Sequence, residues 1–330
     1  MDRESISNND EKNLYNKFCT KVYIPIFSKP WWLDAVCGEK NWGVHVLEKN
    51  GFFFAAMPYY VENRNGYDII TKAHHSQNNG IIINYKQADK NVAKLDREEE
   101  VINEMCDYIE ALGVDKYEQQ YHYSFTNILP FIWRGYKQMV RYTYVIDDTS
   151  DMDKVCADFK YIVRNQIKKA EKIVEIKEGM DINTFYDINK SSYDRQGIEV
   201  PFSKELVNRI EEACVGHDCR KILYSQDQEG NIHSVAYLIW DEESVYFLIN
   251  GIDSEFMWSQ SNSLLIRESI RVAHQLNKKF DFEGSVLKPV EHIFRGFGAK
   301  QKMYFRIIKT LTEGLDDSKV NKWSKEAEVF

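Results

Sequence analysis

The sequence lacks a long apolar run. Its longest, GFFFAAMPYYV at residues 51–61, is too short for a membrane-spanning helix, which needs about 20 residues. The first ten residues, MDRESISNND, also lack the apolar core of a secretory signal. We therefore expect a cytoplasmic protein without a membrane span.

The chain also lacks an excess of positive charge. Its formal net charge is -8 at pH 7, which argues against a surface that wraps nucleic acid as a whole. A local basic patch is still compatible with this net charge. Four basic residues recur at every fourth position, which predicts a basic ridge on one side of a helix. These residues are Lys160, Arg164, Lys168 and Lys172. The ridge would meet nucleic-acid phosphates or simply face solvent.

Cysteine is sparse and irregularly placed. Six cysteines without a pairing rhythm indicate reduced thiols. The tightest group, Cys214, His217 and Cys219, offers three metal ligands, but no second cluster completes a tetrahedral set. We therefore predict no bound metal and interpret these three as residues at a helix end.

The pattern of apolar residues predicts a mixed α/β protein. The 330 residues are enough for two domains. The second half predicts the order β-α-α-β-β-β-α-β-α-β, and the first half follows the same order more loosely. Such an alternation gives a mixed (α+β) sheet with helices on its faces. We predict one domain at 1–150 and a second at 151–330, with the active cleft in the second.

Two local signals mark elements of the first half. Asn50-Gly51 between two alternating runs predicts a tight hairpin. Asp96 and Glu99 have the spacing of a capping box, which predicts that a helix begins at Asp96 and is stopped by Gly113.

Several stretches together resemble bacterial acyltransferases of the FemAB-like type. They are FSKPWWLDAVCGEKNWGVHVLEKNG, LPFIWRGYKQMVRYTYVID, IVRNQIKKAEK, YDRQG and FDFEGS with FRGFGAKQKMYFRI. The resemblance covers roughly residues 22–310 and implies two GNAT-like acyltransferase domains in one chain. It also implies acyl transfer to an amine, from acyl-CoA or another activated donor. The family includes aminoacyltransferases that use aminoacyl-tRNA to lengthen peptidoglycan side chains.

A donor site is expected where the polar loop after Asn250 enters a helix near Ser261. In the GNAT fold this place holds the pyrophosphate of acyl-CoA, and a helix N-terminus attracts such an anion. The candidate cofactor-binding residues are Asn250, Gln260, Ser261, Asn262 and Ser263. The chain departs from acetyl-CoA enzymes in lacking a glycine-rich loop here. Ser261 or Ser263 would alternatively serve as the helix N-cap.

Two carboxylates on the strand FDFEG are the candidate catalytic residues. Strand alternation would place Asp281 and Glu283 on one face, opposite Phe280 and Phe282. Two such charges close together raise the pKa of at least one carboxyl, which suits a general base for an attacking amine. The alternative is that they form ion pairs with Arg295 or a lysine.

The acceptor is expected to bind near two further segments, FRGFG and the helix end SSYDRQG, which would alternatively only face solvent. In FRGFG, Arg295 would hold a phosphate or carboxylate or else pair with Glu291 one turn earlier. The glycines of this turn can take unusual backbone angles, and its phenylalanines would fix it to the core. The candidate substrate-binding residues are Tyr193, Arg195, Gln196, Arg295, Gly296, Phe297 and Gly298.

Three functions are compatible with these residues. The first is an N-acyltransferase that uses acyl-CoA and acts on an amine of a small molecule or cell-wall precursor. The second uses aminoacyl-tRNA as donor. The third is a non-catalytic binding protein with a GNAT-like body.

Overall fold

The computed structural model describes residues 8–85, 90–194, 197, 199–284 and 287–320. Arg195 and Gln196, two of the predicted acceptor-binding residues, lie outside the described residues. The chain forms two compact units. The first contains residues 1–141 and 303–330, and the second contains residues 142–302.

The strands are, in chain order, β1 (Trp42–Lys49), β2 (Phe52–Arg64), β3 (Tyr67–Thr71), β4 (Ile82–Ile83), β5 (Lys116–Gln120), β6 (Lys137–Ile146), β7 (Glu175–Glu178), β8 (Arg220–Gln226), β9 (Ile232–Trp240), β10 (Ser244–Ile252), β11 (Lys279–Asp281) and β12 (Lys300–Thr310). The helices are α1 (Asn9–Cys19), α2 (Pro30–Cys37), α3 (Asn91–Ala111), α4 (Leu129–Trp133), α5 (Met152–Ala157), α6 (Tyr161–Ala170), α7 (Ile182–Asp194), α8 (Lys204–Gly216), α9 (Ser261–Gln275), α10 (Lys288–Gly296) and α11 (Asp317–Val320).

The first unit contains a sheet in the order β1-β2-β3-β5-β12, with β4 beside β2. The predicted hairpin is confirmed, because Asn50 and Gly51 both have positive φ and join β1 to β2. Helix α3 begins at Asn91 and not at the predicted capping box. The hydroxyl of Tyr85 donates to the Glu98 carboxylate at 2.7 Å, and Lys94 lies 4.4 Å above the Tyr85 ring. These contacts hold the earlier helical turn in place.

The second unit contains strands in the order β6-β11-β10-β9-β8-β7. From β7 onward the elements follow the predicted order, with α7 and α8 after β7, α9 after β10, and α10 after β11. The core lies around α9 and includes Leu265, Ile270, Phe280 and Phe282. The second half of the chain therefore has the element order that its sequence pattern predicts.

The last strand belongs largely to the first unit. β12 pairs with β5 from Arg306 opposite Gln120 to Thr310 opposite Lys116. The division into compact units therefore differs from the predicted boundary between residues 150 and 151, because the end of the chain returns to the first unit.

Strand β10 carries the irregularity that shapes the site. Its register with β9 shifts between Phe247 and Ile249, so that Leu248 is an extra residue on β10. Its parallel pairing with β11 covers only Ser244 to Tyr246, while β10 continues to Ile252. A bulge leaves one residue out of the ladder and redirects the strand. The end of β10 thus leads directly to the segment before α9.

No helix among the described residues has the length and apolar character to cross a bilayer. Over the same residues, no group of three or more His, Cys, Asp and Glu side chains is arranged to hold a metal ion. In the predicted helix-end group, the Cys219 thiol donates to the Cys214 carbonyl oxygen at 3.6 Å, just beyond the end of α8.

Candidate active site

A cavity of about 320 Å³ lies in the second unit. Its walls come from α6, the end of β10, the first turn of α9, and α10. Its polar lining consists of Lys160, Gln166, Gln260, Ser261, Asn262, Ser263 and His292. Its apolar lining consists of Ile162, Val163, Ile252, Met257, Ile293 and Phe297, with Gly296 beside them. Four of the five predicted donor-site residues and two of the predicted acceptor-site residues therefore meet at one cavity.

The first turn of α9 supplies most of the polar lining. The helix begins at Ser261, and its N-cap is Gln260, which has a left-handed φ of 61° and no side-chain cap bond. The prediction that Ser261 or Ser263 is the N-cap was wrong. Ser263 Oγ instead donates to Gln166 Oε1 on α6 at 3.0 Å. Ser261 Oγ and Asn262 Oδ1 are buried atoms that find no hydrogen-bond partner within the described part of the chain.

The short 3₁₀ segment Ser254–Ser259 places Met257 at the cavity. Phe256 stacks on the buried His233 ring with centroids 4.1 Å apart and planes 9° apart. Lys169 Nζ donates to the Trp258 carbonyl oxygen at 2.6 Å. These contacts fix the segment to β9 and to α6.

Helix α10 forms the opposite wall. Phe294 and Phe297 are buried in the core as predicted. The Lys160 amide donates to the Gly296 carbonyl oxygen at 2.8 Å, which joins the start of α6 to the end of α10. Gly298 has a φ of 72° and lies against Asp158, so it shapes the turn without lining the cavity.

Arg295 does not line the cavity. Its Nε lies 3.2 Å from Glu291 Oε1, which is the ion pair that the sequence offered as the alternative. Glu291 also accepts a hydrogen bond from the Tyr144 hydroxyl at 2.9 Å. A role of Arg295 in holding an acceptor stays a prediction.

In contrast to the prediction, the two carboxylates do not share a strand face. Strand β11 ends at Asp281, and Glu283 has a left-handed φ of 62°. Asp281 is buried together with both phenylalanines, whereas Glu283 is half-buried. Asp281 Oδ1 accepts from Thr143 Oγ1 at 2.6 Å and from the Glu283 amide at 2.8 Å. Neither carboxylate lines the cavity, because the chain turns away from the strand before residue 283.

The surroundings of Asp281 predict a structural effect of its removal. Asp281→Ala would leave the Thr143 hydroxyl and the Glu283 amide without their acceptor, and each such loss costs about 1–3 kcal/mol. We expect the free energy of unfolding, measured by urea denaturation, to fall by about 2–6 kcal/mol. Asp281→Asn keeps an oxygen acceptor and should cost less. A catalytic Asp281 would instead give an Asp281→Asn protein that is inactive and melts normally.

The other predicted residues lie away from this cavity. Asn250 is exposed, and its carbonyl oxygen accepts from Asn189 Nδ2 at 2.9 Å. Tyr193 packs edge-on against Phe202, and burial raises the pKa of its hydroxyl. Their assignment to donor and acceptor binding stays a prediction.

The sequence reading missed the cavity residues of α6 and the histidine of α10. Gln166 lies within IVRNQIKKAEK, and His292 lies two residues before FRGFG. His292 lies one helical turn before Gly296 of FRGFG. A titratable residue one turn from a candidate site was the signal that could have identified it. No local signal in the sequence indicates that α6 forms a wall of the cavity, since this depends on the hydrogen bond from the Lys160 amide to the distant Gly296 carbonyl oxygen.

Residues 157–285 match the family model of the GNAT acetyltransferase domain. The structure is similar to that of FemX, with a TM-score of 0.68 at 11% identity, covering 89% of this chain and 95% of that one. It is also similar to L-PGS from Bacillus licheniformis, with a TM-score of 0.56 at 10% identity and 96% of both chains covered. A tandem GNAT protein from the clavulanic acid biosynthesis pathway gives 0.52 at 9% identity, over 92% of this chain and 95% of its own.

No protein of curated function matches the sequence. At these identities the structural likeness shows the fold. The predicted fold class of tandem GNAT-like domains is confirmed, and so is the predicted resemblance to acyltransferases of the FemAB-like type.

Proposed function

We propose that this GNAT acyltransferase takes an acyl group from acyl-CoA and transfers it to an amine. The observation that carries the proposal is the cavity that ends on the first turn of α9. The helix dipole favours a diphosphate at such a turn, while the Ser261 amide donates to Ser259 Oγ and the Ser263 amide to the Gln260 carbonyl oxygen. Lys160 lies at the same cavity and would add a positive charge. The buried Ser261 hydroxyl is available there as a donor.

The bulge in β10 supports the assignment of the reacting centre. A residue left out of the ladder has backbone groups that the neighbouring strand does not use. We propose that the Leu248 N–H, the one that the bulge leaves out of the register with β9, stabilises the negative charge on the carbonyl oxygen during attack. The amine nitrogen would form a bond to the thioester carbon, the C–S bond would break, and CoA would leave as its thiolate.

The amine must also lose one proton. His292 is the imidazole that lines the cavity among its described residues, and an imidazole is the commonest general base near neutral pH. We propose His292 as the proton acceptor, with Glu283 as the sequence-derived alternative. In this scheme Asp281 positions the turn through Thr143 and the Glu283 amide.

His292→Gln tests this role. Because His292 is about half exposed, the variant should fold normally. We expect kcat to fall by about a factor of 10² or more, as loss of a general base does, while KM for the donor changes little. The exposed His217, which does not line the cavity, gives a matched control in His217→Gln. Equal activity of both variants would exclude His292 and leave Glu283→Gln as the next variant to measure.

Binding of the donor is tested by thermal unfolding with CoA and acyl-CoA. A ligand at 100 times its dissociation constant adds about 2.7 kcal/mol to stability. We expect Lys160→Glu to abolish most of this gain, because it places a negative charge at the proposed diphosphate site. Lys168→Glu on the same helix changes an exposed charge away from the cavity and should keep the gain. No stabilisation of the unmodified protein at millimolar CoA would contradict the proposal.

A second candidate donor is aminoacyl-tRNA. It is favoured by the likeness in fold to FemX and by the absence of a glycine-rich loop in 250–263. The basic ridge gives it less support than the sequence predicted. Arg164 donates to the carbonyl oxygens of Ala157 and Phe159, and α6 ends at Ala170, before Lys172. Binding of aminoacylated tRNA that weakens steeply with salt would favour this candidate.

A further inference from the structure

Helix α7 contacts the end of β10, the strand whose bulge carries the proposed Leu248 donor. We propose that Asn189 of α7 is a positioning residue for acyl transfer, because it holds β10 in the orientation that directs the Leu248 N–H to the carbonyl oxygen of the thioester. The inference rests on the proposed function, since it explains how the group that would stabilise this oxygen keeps its place.

The end of β10 has one edge that extends past its neighbouring strand. The Asp253 amide donates to the His233 carbonyl oxygen of β9 at 2.9 Å. Because the backbone groups of successive strand residues point to opposite edges, the carbonyl groups of Asn250 and Ile252 point away from β9. On that side the pairing of β10 with β11 ends at Tyr246. Both carbonyl groups therefore lie beyond the end of this pairing.

Two side chains of α7 take the place of a neighbouring strand at this edge. Asn189 Nδ2 donates to the Asn250 carbonyl oxygen at 2.9 Å, and Ser192 Oγ donates to the Ile252 carbonyl oxygen at 2.9 Å. Residues three apart lie on one face of a helix, and carbonyl groups two residues apart lie on one edge of a strand. The two hydrogen bonds thus fix β10 to α7 just beyond the bulge at Leu248.

A glycine allows α7 to approach this edge. A Cβ at Gly251 would lie 3.0 Å from Asn189 Nδ2 and 3.3 Å from Asn189 Cα. The second of these atoms belongs to the helix backbone, so a side chain at 251 would push α7 away from the strand. Glycine at this position therefore keeps the Asn189 amide within hydrogen-bond distance of β10.

The burial of Asn189 points to a role beyond stability. The residue is fully buried, and its Oδ1 finds no hydrogen-bond partner among the described residues. A buried polar atom without a partner costs free energy and calls for an explanation. The other half of the same amide is used, and it holds the Asn250 carbonyl group. The orientation of β10 accounts for an amide at this position.

Infrared spectroscopy of bound acetyl-CoA tests the inference without an amine acceptor. Acetyl-CoA labelled with the heavy stable isotope of carbon at the thioester carbonyl is compared with unlabelled acetyl-CoA, so that the difference spectrum isolates this group. In the full chain at saturating acetyl-CoA, we expect its stretching frequency to lie below the value in water, because a preorganised N–H polarises the carbonyl bond. In Asn189→Leu the frequency should return to the value in water.

Affinity and folding are measured beside the spectrum. Calorimetric titration with CoA should give the same Kd for the native protein and Asn189→Leu, since the proposed diphosphate site on α9 is unchanged. Ser192→Ala removes only the second hydrogen bond and should lose part of the frequency shift. It decides the question if Asn189→Leu does not fold. The exposed Asn183 near the start of α7 gives the matched control Asn183→Leu, which should keep the whole shift.

The outcomes separate this inference from the proposed function. A full shift in Asn189→Leu, or in Ser192→Ala if the leucine variant does not fold, would overturn the inference and leave the proposed function standing. A native protein that binds CoA without any shift would overturn the role of Leu248 and the inference together, but not the assignment of the donor. If the native protein bound no CoA, the proposed function would fail and the inference with it.

Discussion

A Gly284→Ala protein is expected to lose about 2–5 kcal/mol of unfolding free energy. Gly284 has a φ of 73°, which by itself costs a residue with a side chain about 1–2 kcal/mol. In addition, a Cβ at this position would lie 2.2 Å from the Tyr142 carbonyl oxygen and 2.8 Å from the Thr143 Cα. Both are backbone atoms of β6 that cannot rotate away, so the turn must move away from that strand, and such overpacking costs about 1–3 kcal/mol more.

The substitution is also expected to displace the turn before α10. Thr143 and Asp281 are joined by the 2.6 Å hydrogen bond that a shift of the turn would lengthen. Urea denaturation of the purified variant measures the loss.

Gly179→Ala is the matched control. Gly179 also lies in the second unit and has a φ of 85°, but no atom lies within 4 Å of the position its Cβ would take. It should therefore lose only the conformational part, about 1–2 kcal/mol. Equal losses in the two variants would show that backbone conformation alone, and not the approach of Tyr142, explains the glycine at 284.

The turn that contains Gly284 also shows where prediction from sequence stops. The pattern of FDFEG alternates, and alternation predicts a strand with two faces. The structure ends the strand at Asp281, because Glu283 and Gly284 both take positive φ. Phe280 and Asp281 point to opposite faces of this strand, and both are buried, so both faces are covered. Nothing in the alternation distinguishes a buried, hydrogen-bonded carboxylate from one that faces a cleft.

Three signals that depend on chain neighbours agree with the structure, whereas the capping box at Asp96 does not. The helix beginning at Ser261, the pair of Arg295 with Glu291, and the hairpin at Asn50 each depend on residues within a few positions. The cavity depends on contacts between distant segments, such as Ser263 with Gln166. The division of the chain into two compact units also depends on contacts between distant segments. In the first unit β12 pairs with β5, although nearly two hundred residues lie between them.

Phe282→Ala is expected to destabilise the second unit by about 3–5 kcal/mol, the usual cost of removing a buried aromatic side chain. Phe282 is 1% exposed and packs against Phe280 at 4.9 Å and Phe294 at 4.8 Å between ring centroids. It also lies 6.0 Å from Phe297, which lines the cavity. Its ring therefore links the carboxylate turn to the α10 wall.

The same variant separates packing from ligand binding. Because α10 would lose its contact with the turn after β11, the stabilisation by CoA should fall along with the unfolding free energy. Phe282→Leu fills most of the space and should cost less than about 1.5 kcal/mol, with the stabilisation by CoA retained. An alanine variant that is destabilised but still gains the full stabilisation from CoA would show that the α10 wall keeps its place without Phe282. The aromatic cluster would then hold the fold together without contributing to the shape of the cavity.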